Sequence, residues 1–364
     1  MMRRRMGRMA GAVAAAAILL TGCKTYPGPG FGPTEPAPPP AALAVYASFH
    51  PVPLPHGLPG GLLKGVFTPP TSYAAGEGLL IPVPPSKGGP ADGLYLYSTA
   101  TGTLTRVERI APGPSRDVAT SSAVGDGYIA YQIGPESGPR TAPVELQAVP
   151  GGAPHAITLP KRDRGGIHTL MTIQGGYLDF LTTRESGDND LTGAVACRLP
   201  NGPCKNLMFE NSGLSQTDVI ALTADAGWVY VALKPADPGD SAFSALLALP
   251  QNGGPRRVLW RGAGVITSVV AAQAGLLFTA DYGTDEALYF LRQGGLSRLT
   301  APSQFPSHPS FGAGYVTWWS QSPFVFDIGS DRVYRVPGVL PQLFGDLLTY
   351  ITPQGVRWVR LPPG

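Results

Sequence analysis

Seven side chains of this sequence could do chemistry together if the fold gathers its loops on one face: His168, Asp188, Asp190, Asp237, Asp240, Asp281 and Asp285. Carboxylates beside an imidazole offer proton transfer or cation binding. Asp188, Asp190 and Thr192 ahead of Gly193 follow the first half of a calcium-loop pattern, but residue 199 is Leu where the bidentate Glu belongs. A solvated loop is therefore expected there, and no metal. The five histidines (50, 56, 155, 168 and 308) never fall at metal-ligand spacing. His168 is the one His placed near the acids, with a structural role as the competing reading. The sequence carries no Gly-x-Ser-x-Gly elbow and no phosphate-cradling glycine loop, and no cofactor is expected.

The N-terminus carries an address. Arg3, Arg4, Arg5 and Arg8 precede the apolar run Ala10–Leu20, which is shorter than the roughly 20 residues a spanning helix needs. Leu20-Thr21-Gly22-Cys23 resembles the lipobox of bacterial lipoproteins. That resemblance implies that residues 1–22 are removed and that Cys23 carries acyl chains holding the protein to a membrane. With Lys24 rather than Asp following, it further implies the outer membrane of a two-membrane cell, or otherwise the outer leaflet of the plasma membrane. An ordinary secretory signal with a chance Cys is the alternative. Residues 23–60 then form a Pro-rich, semi-rigid tether. An exported protein lives where disulfides persist. Cys197 and Cys204 flank the turn Leu199-Pro200-Asn201-Gly202, at positions that face each other in a hairpin, so a disulfide is expected over two free thiols.

What must position these groups follows from composition and repeats. Among 364 residues there are 48 Gly and 40 Pro, which argues against a helical protein. The hydrophobic fraction of 43% is enough for a packed core. The formal charge is +3, but without the four leader arginines 23 basic residues face 24 acidic ones. That balance excludes nucleic-acid binding driven by net charge. A Gly followed by an apolar run recurs at Gly78, Gly127, Gly176, Gly227, Gly275, Gly314 and Gly345, at spacings of 49, 49, 51, 48, 39 and 31. Each run is followed by a second strand and, in most repeats, by a tight turn such as Asn201-Gly202 or Gly294-Gly295. Repeats of 40–50 residues with about four short strands are the signature of a β-propeller. An all-β fold is expected, with residues 61–364 forming one seven-bladed propeller. The last blade lacks its outer strand, and Gly61–Phe67 is placed to supply it and latch the ring. Six blades is the alternative, because Pro82, Pro84 and Pro85 interrupt the first repeat. A pair of β-sandwiches ranks third.

The segment Ala287–Thr300, with Leu-Tyr-Phe-Leu-Arg-Gln-Gly-Gly-Leu-Ser-Arg-Leu at its centre, resembles the strand-hairpin-strand unit of TolB-like propellers. Leu249–Leu259 and Gly125–Tyr131 are similar to parts of the same unit. The resemblance implies an envelope binding or scaffold protein, although that family is usually six-bladed. Two functions remain open. One is a non-catalytic, lipid-anchored, monomeric propeller that binds an envelope protein or small ligand on its loop-rich face. The other is a propeller enzyme, a lyase or a glycoside-active protein, working through the acidic loops. Acids without an evident base favour the first.

Overall fold

A computed structural model gives the architecture and describes residues 51–362, apart from the short segments 85–91, 111–116, 136–141, 187–188, 212–216, 226, 236–242, 273–274, 282–285, 293–294, 301–305, 320–322 and 331. Among the described residues there is no helix. Two strands come first, β1 (Val52–Pro53) and β2 (Gly60–Lys64). Blade 1 holds β3 (Ser72–Ala74), β4 (Gly78–Val83), β5 (Gly93–Tyr97) and β6 (Leu104–Arg109). Blade 2 holds β7 (Asp117–Gly125), β8 (Tyr128–Pro135), β9 (Glu145–Ala148) and β10 (His155–Ala156). Blade 3 holds β11 (Ile167–Gln174), β12 (Tyr177–Ser186), β13 (Asn189–Arg198) and β14 (Cys204–Asn211). Blade 4 holds β15 (Thr217–Asp225), β16 (Trp228–Pro235), β17 (Phe243–Pro250) and β18 (Arg257–Ala263). Blade 5 holds β19 (Val265–Ala272), β20 (Gly275–Asp281), β21 (Glu286–Arg292) and β22 (Gly295–Arg298). Blade 6 holds β23 (Ser307–Gly312), β24 (Tyr315–Trp319), β25 (Phe324–Asp327) and β26 (Arg332–Arg335), and blade 7 holds β27 (Val339–Phe344), β28 (Leu347–Thr352) and β29 (Gly355–Arg360).

The protein is a seven-bladed β-propeller closed by a latch. Within each blade neighbouring strands are antiparallel in chain order, and β2 adds to β29 in antiparallel register, with Leu62 opposite Arg357. Leu63 and Val66 bury behind that strand, whereas Phe67 stays exposed, so the latch ends at Lys64. Residues 51–58, which the sequence alone assigns to the tether, lie on the domain. Val52 and Pro53 pair in parallel with Tyr334 and Arg335 of β26, and Leu54 and Leu58 pack between blades 6 and 7. Pro82 does not break blade 1. It lies opposite Leu94 and beyond the end of the short β3, where no inner-strand ladder needs its missing N–H.

The core is divided among the seams. Each neighbouring pair of blades encloses its own apolar cluster, including blades 7 and 1, where Leu63, Val66, Leu79, Tyr97, Val356 and Trp358 meet. Covering both faces of a sheet explains why the central strands read as unbroken apolar runs, such as Leu276-Leu277-Phe278. Hydroxyls cross the seams near the axis. Ser72 Oγ accepts the Val124 N–H (2.8 Å), Ser121 Oγ that of Met171 (3.3 Å), Thr223 Oγ1 that of Ala271 (3.1 Å) and Ser310 Oγ that of Leu343 (2.8 Å). Each pairs an inner-strand N–H that the blade's own ladder leaves unused.

Candidate functional site

In this topology the turns between first and second strands share one face with those between third and fourth. The longer second-to-third loops and the links between blades share the other, the loop face. His168 and Asp281 reach that face from blades 3 and 5. Asp190 is in β13 opposite Glu185, because the β12–β13 hairpin is tighter than the loop expected from sequence. Asp188, Asp237, Asp240, Asp285 and Cys23 lie outside the described residues. Cys197 and Cys204 sit opposite each other on β13 and β14 and are joined by a disulfide, with Cα atoms 3.9 Å apart.

His168 heads the inner strand of blade 3 but turns into the seam with blade 2, where it is buried. Its backbone N–H donates to Gln132 Oε1 (3.0 Å), and the Gln132 amide donates to Ala142 O (2.7 Å). The ring meets Phe180 edge-on at 5.1 Å, and among the described residues Nδ1 has no hydrogen-bond partner. Burial lowers its pKa to about 4, so the imidazole is neutral near pH 7. It borders a small hollow of about 330 Å³ with Ile157, Leu159 and Arg164. Two further acids are buried nearby. Asp163, in the link before β11, has its carboxyl raised by burial, with Asn206 and Arg162 opposing the shift. Asp179, on β12, accepts a 2.5 Å bond from Gln251 Nε2 across the seam with blade 4, and burial pushes its carboxyl up to about 7. A lone Asp inside Tyr177-Leu178-Asp179-Phe180-Leu181 is a signal the sequence did contain.

Asp281 stands opposite Glu286 at the loop end of blade 5, and its charge, after burial, raises the Glu286 carboxyl. Thr267, Ser268 and Thr279 surround the pair with linked hydroxyls, Thr267 Oγ1 meeting Glu286 Oε1 at 3.4 Å. Among the described residues no three His, Cys, Asp or Glu side chains converge as a metal site would need.

The loop-face ends of the inner strands differ among blades. In blades 2, 4 and 5 the register with the second strand skips one residue, and in blades 3, 6 and 7 it skips two. In the latter three the skipped pair begins with a non-glycine residue in the left-handed region, Leu170 (φ 52°), His308 (φ 49°) and Leu340 (φ 50°). Each such residue costs on the order of 1–3 kcal/mol, and such strain concentrates at functional sites. Exposed apolar surface lies at or beside these ends: Leu170 is 47% exposed and Val339 48%, and Trp319, which ends the neighbouring strand β24, is 38% exposed with its ring 6.3 Å from that of His308. Of the adjacent Trp318 and Trp319, only Trp318 is buried. Blade 3 lies across the ring from blades 6 and 7, so these side chains stand on opposite sides of the loop face. Such an arrangement can grip an apolar, extended segment.

No known family model matches the sequence, and no curated protein matches it. Solved structures that resemble it are β-propeller proteins. A prolyl endopeptidase aligns with a TM-score of 0.57 at 11% identity, over 79% of this chain and 46% of its own. An oligogalacturonate lyase in complex with manganese aligns with a TM-score of 0.56 at 13% identity, over 82% of this chain and 90% of its own. YCF48 bound to D1 peptide aligns with a TM-score of 0.54 at 11% identity, over 85% of this chain and 98% of its own. The chain thus spans under half of the endopeptidase. At these identities the likeness establishes the fold alone.

Proposed function

We propose that this chain is a lipid-anchored envelope protein whose propeller binds an extended, apolar segment of a partner at the loop-face mouth of the channel, without catalysing a reaction. The observation that carries the reading is a set of exposed side chains at loop-face strand ends on opposite sides of the ring: Leu170 at the strained end of β11, Val339 beside the strained Leu340 on β27, and Trp319 at the end of β24. The extent of YCF48, recorded with a bound peptide and matched over nearly its whole length, supports a peptide-sized ligand. Anchoring rests on the lipobox-like Leu20–Cys23. In polyproline geometry, residues 24–50 would let the domain stand up to about 80 Å from the membrane, at about 3.1 Å per residue.

A displayed library of random peptides panned against the full-length chain tests the binding claim. Enriched apolar peptides should lose binding at least tenfold in Leu170→Asp and Val339→Asp. They should keep it in Asp126→Ala, on the opposite face. Enrichment that ignores the two mouth variants would overturn the assignment. For the anchor, Cys23→Ser should move the chain to the soluble fraction, and retention on membranes after a salt wash contradicts it.

A further inference from the structure

Blades 3 and 4 meet through one buried acid. Asp179 lies two positions before Leu181 on β12, so it shares the face of blade 3 that packs on blade 4, while Phe180 faces blade 2. Gln251 follows β17 and is pinned to blade 4 by its backbone N–H, which donates to Gly227 O (3.0 Å). Its Nε2 donates to Asp179 Oδ2 at 2.5 Å, and both residues are buried. That bond uses one oxygen of the carboxyl and the nitrogen of the amide. The two oxygens left over, Asp179 Oδ1 and Gln251 Oε1, are buried and without a partner among the described residues. Two acceptors cannot satisfy each other unless a proton joins them.

We propose that Asp179 and Gln251 form a proton-operated clasp between blades 3 and 4, in which the neutral acid donates its O–H from Oδ1 to Gln251 Oε1. Acid and amide then share two hydrogen bonds, Nε2–H to Oδ2 and Oδ1–H to Oε1, and one proton serves both stranded oxygens. When that proton leaves for water, the carboxylate and the amide oxygen repel. The seam then parts at the end away from the loop face, where the anion can be hydrated.

The surroundings offer no substitute for the proton. Thr172 and Ala196, opposite Asp179 on β11 and β13, carry no charge. Tyr177 shares the Asp179 face, and Tyr230 on β16 packs towards blade 5. Lys205 Nζ, from β14, donates to Asn252 O (2.9 Å), and Asp225, ending β15, accepts from Gln174 Nε2 (2.9 Å). Arg257, on β18, lies over Trp228, and Arg198, ending β13, is exposed. Burial outweighs the Gln251 bond and holds the Asp179 carboxyl at about 7, against 3.8 once the seam opens to water. Opening therefore becomes about tenfold easier with each pH unit between about 4 and 7, and levels off above.

Infrared and hydrogen-exchange measurements on the full-length chain in non-ionic detergent test the clasp. At about pH 5.5, where ordinary carboxyls are ionised, the parent minus Asp179→Asn spectrum should show the C=O stretch of one neutral acid. That band should fade as pH rises through about 7 and shift upward in Gln251→Leu, whose acid O–H has lost its acceptor. The parent's own difference between about pH 5.5 and 8 should carry it too, so the test survives a variant that fails to fold. Asn at 179 replaces the O–H by an N–H and makes a clasp blind to pH. Amide exchange in β12 and β16, taken as the ratio of parent to Asp179→Asn at each pH, should rise about tenfold per unit up to about pH 7. The same ratio in β28 and β29 should stay at one. Absence of the acid band overturns the proposal, as does a band that Gln251→Leu leaves in place or a flat exchange ratio across the seam.

Discussion

The seam between blades 7 and 1 and the seams on either side of blade 3 are built to different standards. At the 7–1 seam several polar groups find partners, although Thr349 Oγ1 does not: Trp358 Nε1 donates to Tyr97 Oη (3.5 Å), and Arg360 bonds both oxygens of Asp346 (2.9 and 2.7 Å) and Tyr73 Oη (3.4 Å). Around blade 3 the seams hold buried polar atoms without one among the described residues, including His168 Nδ1, Thr182 Oγ1, Asp179 Oδ1 and Gln251 Oε1. Blades 2, 3 and 4 follow one another along the chain, so short links hold their seams together. The 7–1 seam joins the two ends of the domain, and only non-covalent contacts offset the entropy of closing so long a loop. Where the chain does not hold the ring, packing must, and the unpartnered polar groups around blade 3 are tolerated where the chain does.

The sharpest way to break this contrast is to weaken the latch. Leu63→Ala should cost about 2–4 kcal/mol, since it empties part of the core shared by β2 and blade 1. Removing residues 24–64 should cost more and cause aggregation through the bare edge of β29, whereas removing 24–50 should leave urea unfolding unchanged. Equal stability of the two truncations would contradict the latch.

Next in size is the pH response of the blade 3 seams. The Asp179 carboxyl stands at about 7 against an ordinary 3.8, so the folded state holds a proton that the unfolded chain releases. That contribution is complete below about pH 4 and is lost as pH rises to about 7. His168 stands at about 4 against 6.5, so the folded state refuses a proton that the unfolded chain accepts. Its contribution is complete above pH 6.5 and is lost as pH falls towards 4. Between these limits the two slopes oppose, each reaching at most about 1.4 kcal/mol per pH unit. In urea titrations His168→Gln should therefore gain stability on acidification and Asp179→Asn should lose it. Identical profiles for both variants would mean that neither group titrates with folding.

The smallest effect should come from the disulfide. Cys197→Ser/Cys204→Ser closes a short loop no longer, so about 2 kcal/mol or less is expected, confined to the β13–β14 hairpin. A loss matching Leu63→Ala would erase the distinction between seams.

Much of the ring was legible in the sequence. The recurring Gly-apolar runs mark the second strands, the turn around Asn201-Gly202 places the disulfide, and the short final repeat points to a latch upstream. Cross-seam detail was not, because it depends on pairs far apart in sequence. Asp179 and Gln251 are 72 residues apart, and nothing local to either announces the other. The bulges were hidden for a different reason. Leu170 followed by Met171 reads as ordinary strand, and only Pro309 and Pro341, which lack an N–H for the ladder, hint at the interruption. β1 was masked by Pro51, Pro53 and Pro55 in and around it, which suit a tether as well as a strand at a sheet's edge.

Rigid presentation of the channel mouth depends on closure at the 7–1 seam, and native-state hydrogen exchange of Leu63→Ala against the parent chain measures it strand by strand. Amides of β27–β29 and β3–β6 should lose protection together, while β12, β13, β16 and β17 keep theirs. A loss confined to β27–β29, or one spread evenly through all seven blades, would show that β2 does not tie the ends of the ring together.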